Sequence, residues 1–473
     1  MQAERGGSVP VSAPGAAEGL PRPRRYAAIA AIWLGTVLTT VDGTIVNVAL
    51  PTLARDLHVQ PSEAVLVVTV YQLMLMATLL PFSALGQRFG YRTTYQCGQM
   101  VFVVATILCF FAKNLPFLVL IRGCQALGAA AAMSVGPALI RSIYPASQLG
   151  RGLSLNTVIA ATSASIAPTV GGAVLAIASW PWLFGLVVPF GLLSVLIGRK
   201  TLPEGISRNS PYDVLGAVMC AATVGLVISG LESGIHGSSP VISLAIVILG
   251  VVLGFFFVRR ELGQAQPVFP VDLLRLKAIA LPCLGSLAAY LATMILMVTL
   301  PFQLQQRFHF TPAAAGAALA PMAMMSMVVA PVSGLLSDRY PAGALGAMGM
   351  AIAFVGLSSF AFLPAAPGQL DIVWRIAICG FGFGMFFSPN ARQVVGAAPA
   401  SRIAAAGALF STTRGAGQTL GSTAVAALLA IGVGASPVPA LIAAALALIA
   451  GLCSLEAVRP ARQGPSLGDF PAV

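Results

Sequence analysis

Charged residues are scarce in this sequence. Asp, Glu, Lys and Arg together make up 8% of the 473 residues, whereas a soluble globular domain carries about 25%. Only 14 residues are acidic, 58% of the chain is hydrophobic, and the mean hydropathy is +0.90. This composition excludes an ordinary soluble protein and predicts a chain that crosses a membrane many times.

Residue patterns that hold metals or nucleotides are missing as well. The chain has three histidines, and its seven cysteines include no CxxC pair, so neither a zinc site nor a redox pair is predicted. The HExxH and GxxxxGK[ST] patterns are also absent. We therefore expect no cofactor, no bound metal and no enzymatic activity.

Long apolar runs take up most of the chain. Fourteen runs are long enough to span a bilayer as helices. They comprise residues 27–50, 62–85, 93–112, 116–138, 153–178, 182–198, 214–231, 240–258, 280–304, 313–336, 343–363, 371–390, 403–431 and 437–457. The seventh and eighth runs decide between twelve and fourteen spans, and both are uncharged. The sequence predicts an all-α membrane protein with fourteen transmembrane helices.

The distribution of basic residues supports this count. With fourteen spans, 20 of the 26 Lys and Arg residues fall on the side of the two termini, three (Arg122, Arg375 and Arg414) fall inside helices, and only Arg55, Lys113 and Arg307 fall on the other side. The positive-inside rule then predicts that both termini are cytoplasmic, in the cytoplasmic (inner) membrane of a bacterium. The net charge of +12 is expected to face anionic lipid and not nucleic acid.

Asp42 stands alone in the uncharged stretch between Tyr26 and Arg55, within the first run. A carboxylate near the middle of a membrane helix costs roughly 2.5–3.5 kcal/mol on insertion scales, so such residues usually mark ion or proton paths. We predict that protonation of Asp42 is coupled to substrate movement. The alternative is a static ion pair that pins two helices together.

Three arginines also fall inside apolar runs: Arg122, Arg375 and Arg414. Arg122 is the candidate to tune the charge of Asp42, because a nearby cation favours the ionised carboxylate. A purely structural role, in bonding backbone carbonyls, stays open for Arg122 and Arg414. Arg375 lies four residues after Asp371, which favours an interfacial pair within one helix.

Five motifs, in order along the chain, resemble those of the major facilitator superfamily and of its fourteen-helix drug:proton antiporter family. They are VDGTIVNVALP at 41–51, SALGQRFGYR at 83–92, RGCQALG at 122–128, APTVGG at 167–172 and RGAGQTLG at 414–421. The resemblance implies two six-helix bundles that rock about a central cavity. It also implies proton transfer at Arg122 and a role for the fifth helix in closing the pathway.

The domain organisation follows from this resemblance and from the runs. We expect a disordered cytoplasmic tail over residues 1–26 and a six-helix bundle over 27–199. Two inserted transmembrane helices and an interfacial linker occupy 200–278, a second six-helix bundle occupies 279–458, and a cytoplasmic tail occupies 459–473. A short basic loop follows the second helix of each bundle, as parallel repeats predict.

The residues that we expect to change conformation or to bind substrate fall into three groups. In the fifth helix, Pro168 bends the backbone, and Gly171 and Gly172 permit close helix approach. In the two loops the expected residues are Gln87, Arg88, Gly90, Arg92, Asp338 and Arg339. The candidate substrate-facing residues are Asn47, Gln125, Arg414, Met297 and Met325. Gln87 stands where the family has aspartate. We therefore expect the charge interaction that holds the cytoplasmic side closed to depend on the second loop.

These features together predict a proton-coupled exporter of amphipathic compounds that are monovalent cations or neutral. The predicted partners are a small-molecule substrate, protons and the lipid bilayer, and the protein is expected to be monomeric. A dedicated exporter or importer of one endogenous metabolite, or of an anionic compound, remains the alternative. A membrane receptor or scaffold that does not transport is disfavoured, because it would not need a polar residue at depth.

Overall fold

The computed structural model describes residues 19–145, 148–204, 213–235, 239–264, 270–364, 366–399 and 402–457. Most of the two predicted tails lies outside these residues. Every regular element in the described part of the chain is a helix, as the apolar runs predicted. A helix of 20 residues is about 30 Å long, which matches the hydrocarbon thickness of a bilayer.

The α-helices in the described part of the chain comprise fourteen long ones and one short one. They are α1 (Arg22–Asp56), α2 (Pro61–Ala64), α3 (Leu66–Phe89), α4 (Tyr91–Phe110), α5 (Leu115–Ile143), α6 (Leu149–Ile177), α7 (Trp182–Thr201), α8 (Val214–Ile235), α9 (Pro240–Glu261), α10 (Lys277–Phe302), α11 (Pro312–Leu336), α12 (Ala342–Ser359), α13 (Gln369–Gly396), α14 (Ile403–Ala430) and α15 (Val438–Glu456). Each predicted run corresponds to one long helix. Thirteen candidate spans meet length and hydropathy criteria in the described part of the chain.

The remaining long helix, α14, has 28 residues and is therefore long enough to span. It is less apolar because it carries Arg414, Gln418 and several Ser and Thr residues. Four of those hydroxyls donate to carbonyls three or four residues earlier in the same helix, which satisfies them without water. They belong to Thr412, Thr413, Thr419 and Ser422.

Local sequence sets several helix ends. The Asn114 side chain accepts a hydrogen bond from the backbone N–H of Phe117 at 2.9 Å and caps α5, and Thr311 caps α11 in the same way. These caps satisfy N–H groups that have no partner inside the helix. Gly90, with φ of 91°, joins α3 to α4 in one residue, a conformation that glycine adopts without strain.

Helices α1–α7 form one half of the molecule and α10–α15 form the other. The inserted helices α8 and α9 pack on each other, and α8 also contacts α3 of the first half and α14 of the second. A bidentate ion pair ties this insert together: Arg260 donates to both carboxylate oxygens of Asp213, at 2.6 and 2.7 Å. The hydrogen bonds from Arg260 lower the pKa of Asp213 to about 2.

The chain between α9 and α10 was expected to be an interfacial linker. Its described part is a 3₁₀ helix, Val271–Arg275, with Leu273 buried. Asp272 of this helix accepts a hydrogen bond from Arg402 at 3.0 Å, at the start of α14. The linker is therefore anchored to the second half by one apolar contact and one ion pair.

We name the face that holds the start of α1 and the end of α15 the terminal face, and the other face the opposite face. The two halves meet most closely near the opposite face. Helix α6 packs against α11, and α3 packs against α14. A Cβ built on Gly172 of α6 would lie 2.7 Å from the carbonyl oxygen of Pro312, at the start of α11. Gln305 also donates to the carbonyl of Val48 across the two halves at 3.0 Å.

Candidate functional site

A buried ion pair lies at the centre of the first half. An Nη1 of Arg122, on α5, donates to the Oδ2 of Asp42, on α1, at 2.5 Å. The side chains are 1% and 0% exposed. The structure thus brings together the deep acid and the arginine that the sequence singled out. Moving either charge alone from water into this site would cost several kcal/mol.

Gln125 and Thr106 complete the contacts of this pair. The Gln125 amide Nε2 donates to Asp42 Oδ1 at 2.9 Å and to Thr106 Oγ1 at 2.7 Å, and its Oε1 accepts from Arg122 at 2.6 Å. Both side chains are fully buried. Gln125, which the sequence placed among substrate-facing residues, is thus a bridge between the acid and the arginine. Thr106 carried no sequence signal beyond lying in an apolar run.

The remaining sides of the arginine face backbone and aromatic rings. Arg122 Nε donates to the carbonyl of Val67 at 3.3 Å. Its guanidinium carbon lies 4.2 Å from the ring centroid of Tyr71 and 5.7 Å from that of Phe184, distances at which a cation is attracted to a ring face. The network therefore joins α1, α3, α4, α5 and α7.

This arrangement encloses an acid and a base that come from two different helices. Two hydrogen bonds reach the Asp42 carboxylate, one from Arg122 and one from Gln125. Protonation would remove the charge that compensates Arg122 and would weaken the contact between α1 and α5. Both groups are fully enclosed in this conformation, so the pair contacts protein groups on all sides.

The other candidate substrate-facing residues lie apart from this pair. Asn47 is buried on α1, and its Oδ1 has no hydrogen-bond partner among the described residues. Met297 is half-buried on α10 against the main apolar core. Met325 packs inside the second half against a cluster that includes Leu345 and Met385. Met327 is instead the residue that contacts the first half, where its sulfur lies 3.2 Å from Thr162 Oγ1.

Arg414 lies near the contact between the halves. The next residue, Gly415, faces Met76 of α3: a Cβ built there would lie 3.1 Å from Met76 Cγ. Arg414 is also close enough to Tyr290 of α10 to interact with it electrostatically. The Tyr290 ring stacks on Phe387 of α13 at 4.3 Å between centroids. Sequence reasoning missed this aromatic stack, because its members come from two distant helices.

Helix α6 makes the closest approaches between helices at the opposite face. A Cβ on Gly171 would lie 2.7 Å from Ile45 Cγ1, and one on Gly316 of α11 would overlap the carbonyl oxygen of Pro168. Together with Gly172, these residues let α6 touch α1 on one side and α11 on the other. Larger side chains would hold the helices apart.

The two loops at the terminal face differ in their charge contacts. Gln87 and Arg88 are exposed, and Arg92 pairs with Glu204 beyond α7 at 2.9 Å. In the second loop, Asp338 pairs with Arg392 of α13, which also donates to Ser337. Arg339 is exposed. The acid of the second loop is thus tied to another helix, and Gln87 has no charge with which to do the same.

No group of three or more His, Cys, Asp or Glu residues that could hold a metal ion occurs in the described part of the chain. Arg375 pairs with Asp371 within α13 at 2.8 Å, as its spacing predicted.

Comparisons with known proteins agree with this architecture. The family model described as Major Facilitator Superfamily matches residues 32–422 and 283–468. The "Uncharacterized transporter YebQ" of Escherichia coli (strain K12) is 42% identical over 441 residues, which cover 93% of this chain and 96% of that protein.

More distant relatives carry functional names. The "Riboflavin transporter RibZ" of Clostridioides difficile is 26% identical and covers 84% of this chain and 87% of its own length. The "Multidrug export protein EmrB" of Haemophilus influenzae is 27% identical, with coverage of 83% and 78%.

The fold is also shared with a solved structure. A bacterial homologue of the human lysosomal transporter Spinster, solved in an inward-facing and unoccupied conformation, superposes with a TM-score of 0.63 at 17% identity. The match covers 94% of this chain and 100% of that one. The family match spans both halves of the chain, and the fourteen long helices are consistent with the drug:proton antiporter group that the motifs resemble. The protein is a multi-pass membrane transporter that belongs to the major facilitator superfamily.

Proposed function

We propose that this protein is a proton-coupled antiporter that exports amphipathic, monovalent cationic or neutral compounds by alternating access. The observation that carries the proposal is the fully buried Asp42–Arg122 pair, bridged by Gln125. A carboxylate at this depth is energetically unfavourable, and such residues usually mark ion or proton paths. We therefore assign Asp42 the role of carrying a proton as the helices separate.

The contacts between the halves support an alternating mechanism. Gly172, Gly316 and Pro168 hold α6 against α11 near the opposite face, and Gln305 bonds to α1 there. These contacts support a pathway that is closed on that face in this conformation. With the termini in the cytoplasm of a bacterium, as the basic residues predict, substrate would enter from the cytoplasmic side of the inner membrane.

The energetics of coupling are sufficient for uphill export. One proton that crosses 100 mV supplies about 2.3 kcal/mol, and this free energy sustains roughly a fifty-fold gradient of a neutral substrate. No covalent step is required. Substrate would contact the aromatic stack of Tyr290 and Phe387 and the half-buried Arg414, near the contact between the halves.

The named relatives bear on the substrate. A multidrug export protein among them favours broad specificity, and a riboflavin transporter among them favours a single metabolite. Arg414 favours an anionic compound as the alternative substrate, because Arg122 is already paired and enclosed. A second candidate function is therefore a dedicated transporter of one anionic metabolite.

The test uses purified protein in liposomes with an imposed proton gradient and a panel of unrelated dyes. We expect uphill movement of several cationic or neutral dyes, and its loss in Asp42→Asn. Asp371→Asn is the matched control, since it also removes an acid paired with an arginine, but within one helix. Full gradient-driven transport by Asp42→Asn would reject Asp42 as the coupling site. Movement of a single anion alone would favour the second function.

A further inference from the structure

A small pocket, which we name the polar pocket for its two arginines and its amide, lies at the terminal face between α4 and α7. It has a volume of about 240 Å³ and is lined by Arg92, Thr93, Gln96, Cys97 and Arg199. The two arginines come from the first turn of α4 and the last turn of α7. The pocket therefore contains two positive charges at the level where lipid headgroups would lie.

Gln96 is the residue that identifies this pocket as a binding site. Its side chain is buried, with 9% of the residue exposed, and neither amide atom has a hydrogen-bond partner among the described residues. An unpaired buried amide is destabilising unless something bonds to it. The amide packs over Gly198 of α7, which leaves room for it. A ligand in the pocket would supply the missing hydrogen bonds.

An apolar crevice continues from this pocket along the membrane-facing side of α4. Its volume is about 240 Å³, and it shares Thr93 and Cys97 with the polar pocket. Phe82, Leu85 and Phe89 of α3, Val101 of α4 and Leu127 of α5 contribute to its walls. Phe89 and Val101 are 58% and 45% exposed, so the crevice opens where lipid chains would lie.

The charges around the pocket favour an anion. Arg92 donates to the carbonyl of Arg199 at 2.6 Å and to Glu204 at 2.9 Å. The Glu204 side chain is 89% exposed, and such an ion pair is weak, so an anion could replace it. The N-terminus of α4 also points its partial positive charge toward this end of the pocket.

We propose that the polar pocket and the apolar crevice together bind one anionic phospholipid. Its phosphate lies between Arg92 and Arg199, its glycerol ester oxygens accept hydrogen bonds from Nε2 of Gln96, and one acyl chain follows the crevice. The joining of a cationic pocket to an apolar channel fits a lipid better than a free anion. Because Arg92 lies in the first turn of α4, two residues after Gly90, the bound lipid would brace the junction between α3 and α4.

Two cysteines make the site measurable in the unmodified protein. Cys97 lies where pocket and crevice meet and is exposed, and Cys124 on α5 is exposed outside both. Delipidated protein in detergent is treated with a maleimide after addition of phosphatidylglycerol, phosphatidylcholine or inorganic phosphate. We expect phosphatidylglycerol to slow labelling of Cys97 by about tenfold, with no change at Cys124.

Native mass spectrometry of the same samples counts retained phosphatidylglycerol in variants. We expect about a tenfold loss in Arg92→Gln/Arg199→Gln and a clear loss in Gln96→Leu. The control Lys200→Gln removes a neighbouring charge that does not line the pocket, and it should retain the lipid. Equal losses in Arg92→Gln/Arg199→Gln and Lys200→Gln would overturn the proposal, as would equal protection of Cys97 by phosphatidylcholine or by inorganic phosphate alone.

Discussion

The buried Asp42–Arg122 pair makes a quantitative prediction about stability. In Asp42→Asn, Arg122 stays fully enclosed but loses its counter-charge, while the Gln125 bridge and the aromatic contacts remain. Removing one partner of a buried pair costs about 3–5 kcal/mol. We therefore expect Asp42→Asn to lower the free energy of unfolding by about this amount.

The double variant Asp42→Leu/Arg122→Met removes both charges and keeps similar volumes. Buried pairs replaced by apolar residues are often neutral or more stable by about 1–4 kcal/mol. We therefore expect the double variant to recover most of the stability that Asp42→Asn loses, while it transports nothing. Recovered stability together with lost transport in the double variant is the result expected of a pair that is retained for function.

The measurement is thermal and denaturant unfolding in one detergent, with proton-driven dye transport in liposomes. Asp371→Asn serves as the reference, because its acid is 39% exposed and its partner lies in the same helix. An exposed pair contributes about 0–1 kcal/mol. The reasoning is refuted if Asp42→Asn is no less stable than this reference, or if the double variant is less stable than Asp42→Asn.

Three further predictions concern the rest of the fold. Gly172→Ala should weaken closure at the opposite face and reduce transport, because its Cβ would lie 2.7 Å from the Pro312 carbonyl oxygen. The control Gly136→Ala should transport normally, because its Cβ would have no neighbour within 4 Å. The hydrogen bonds from Arg260 hold the pKa of Asp213 at about 2, below its unfolded value of about 3.9. This pair therefore stabilises the insert above about pH 4, and the stabilisation is lost as the pH falls toward 2. The melting temperatures of the wild type and Asp213→Asn should accordingly differ at pH 6 and converge on acidification. Asp338→Asn should slow transport more than Gln87→Ala, since only Asp338 pairs with another helix; equal effects in a transport assay would contradict this ranking.

The transmembrane plan of the protein was predictable from the sequence. Span length and lack of charge are local properties, so Val214–Ile235 and Pro240–Glu261 were identified as helices without knowledge of their neighbours. Helix α14 was predicted equally well, although Arg414 makes it more polar. Hydrocarbon thickness sets the minimum length of a span, and it does not set where a helix ends outside the bilayer. Helix α1 accordingly extends to Asp56 and α13 to Gly396, beyond the runs 27–50 and 371–390.

The partners of the polar residues were decided by the tertiary structure. Sequence reasoning identified Asp42 because a buried charge is costly wherever its helix packs. Three contacts could not be predicted in this way: Gln125 bridges the pair, Asp338 bonds to Arg392, and Met327 contacts the first half. Each depends on how separate helices are rotated about their axes and how deeply they sit in the bundle. Side-chain contacts between helices reflect packing of distant segments, and no spacing along one helix specifies that packing.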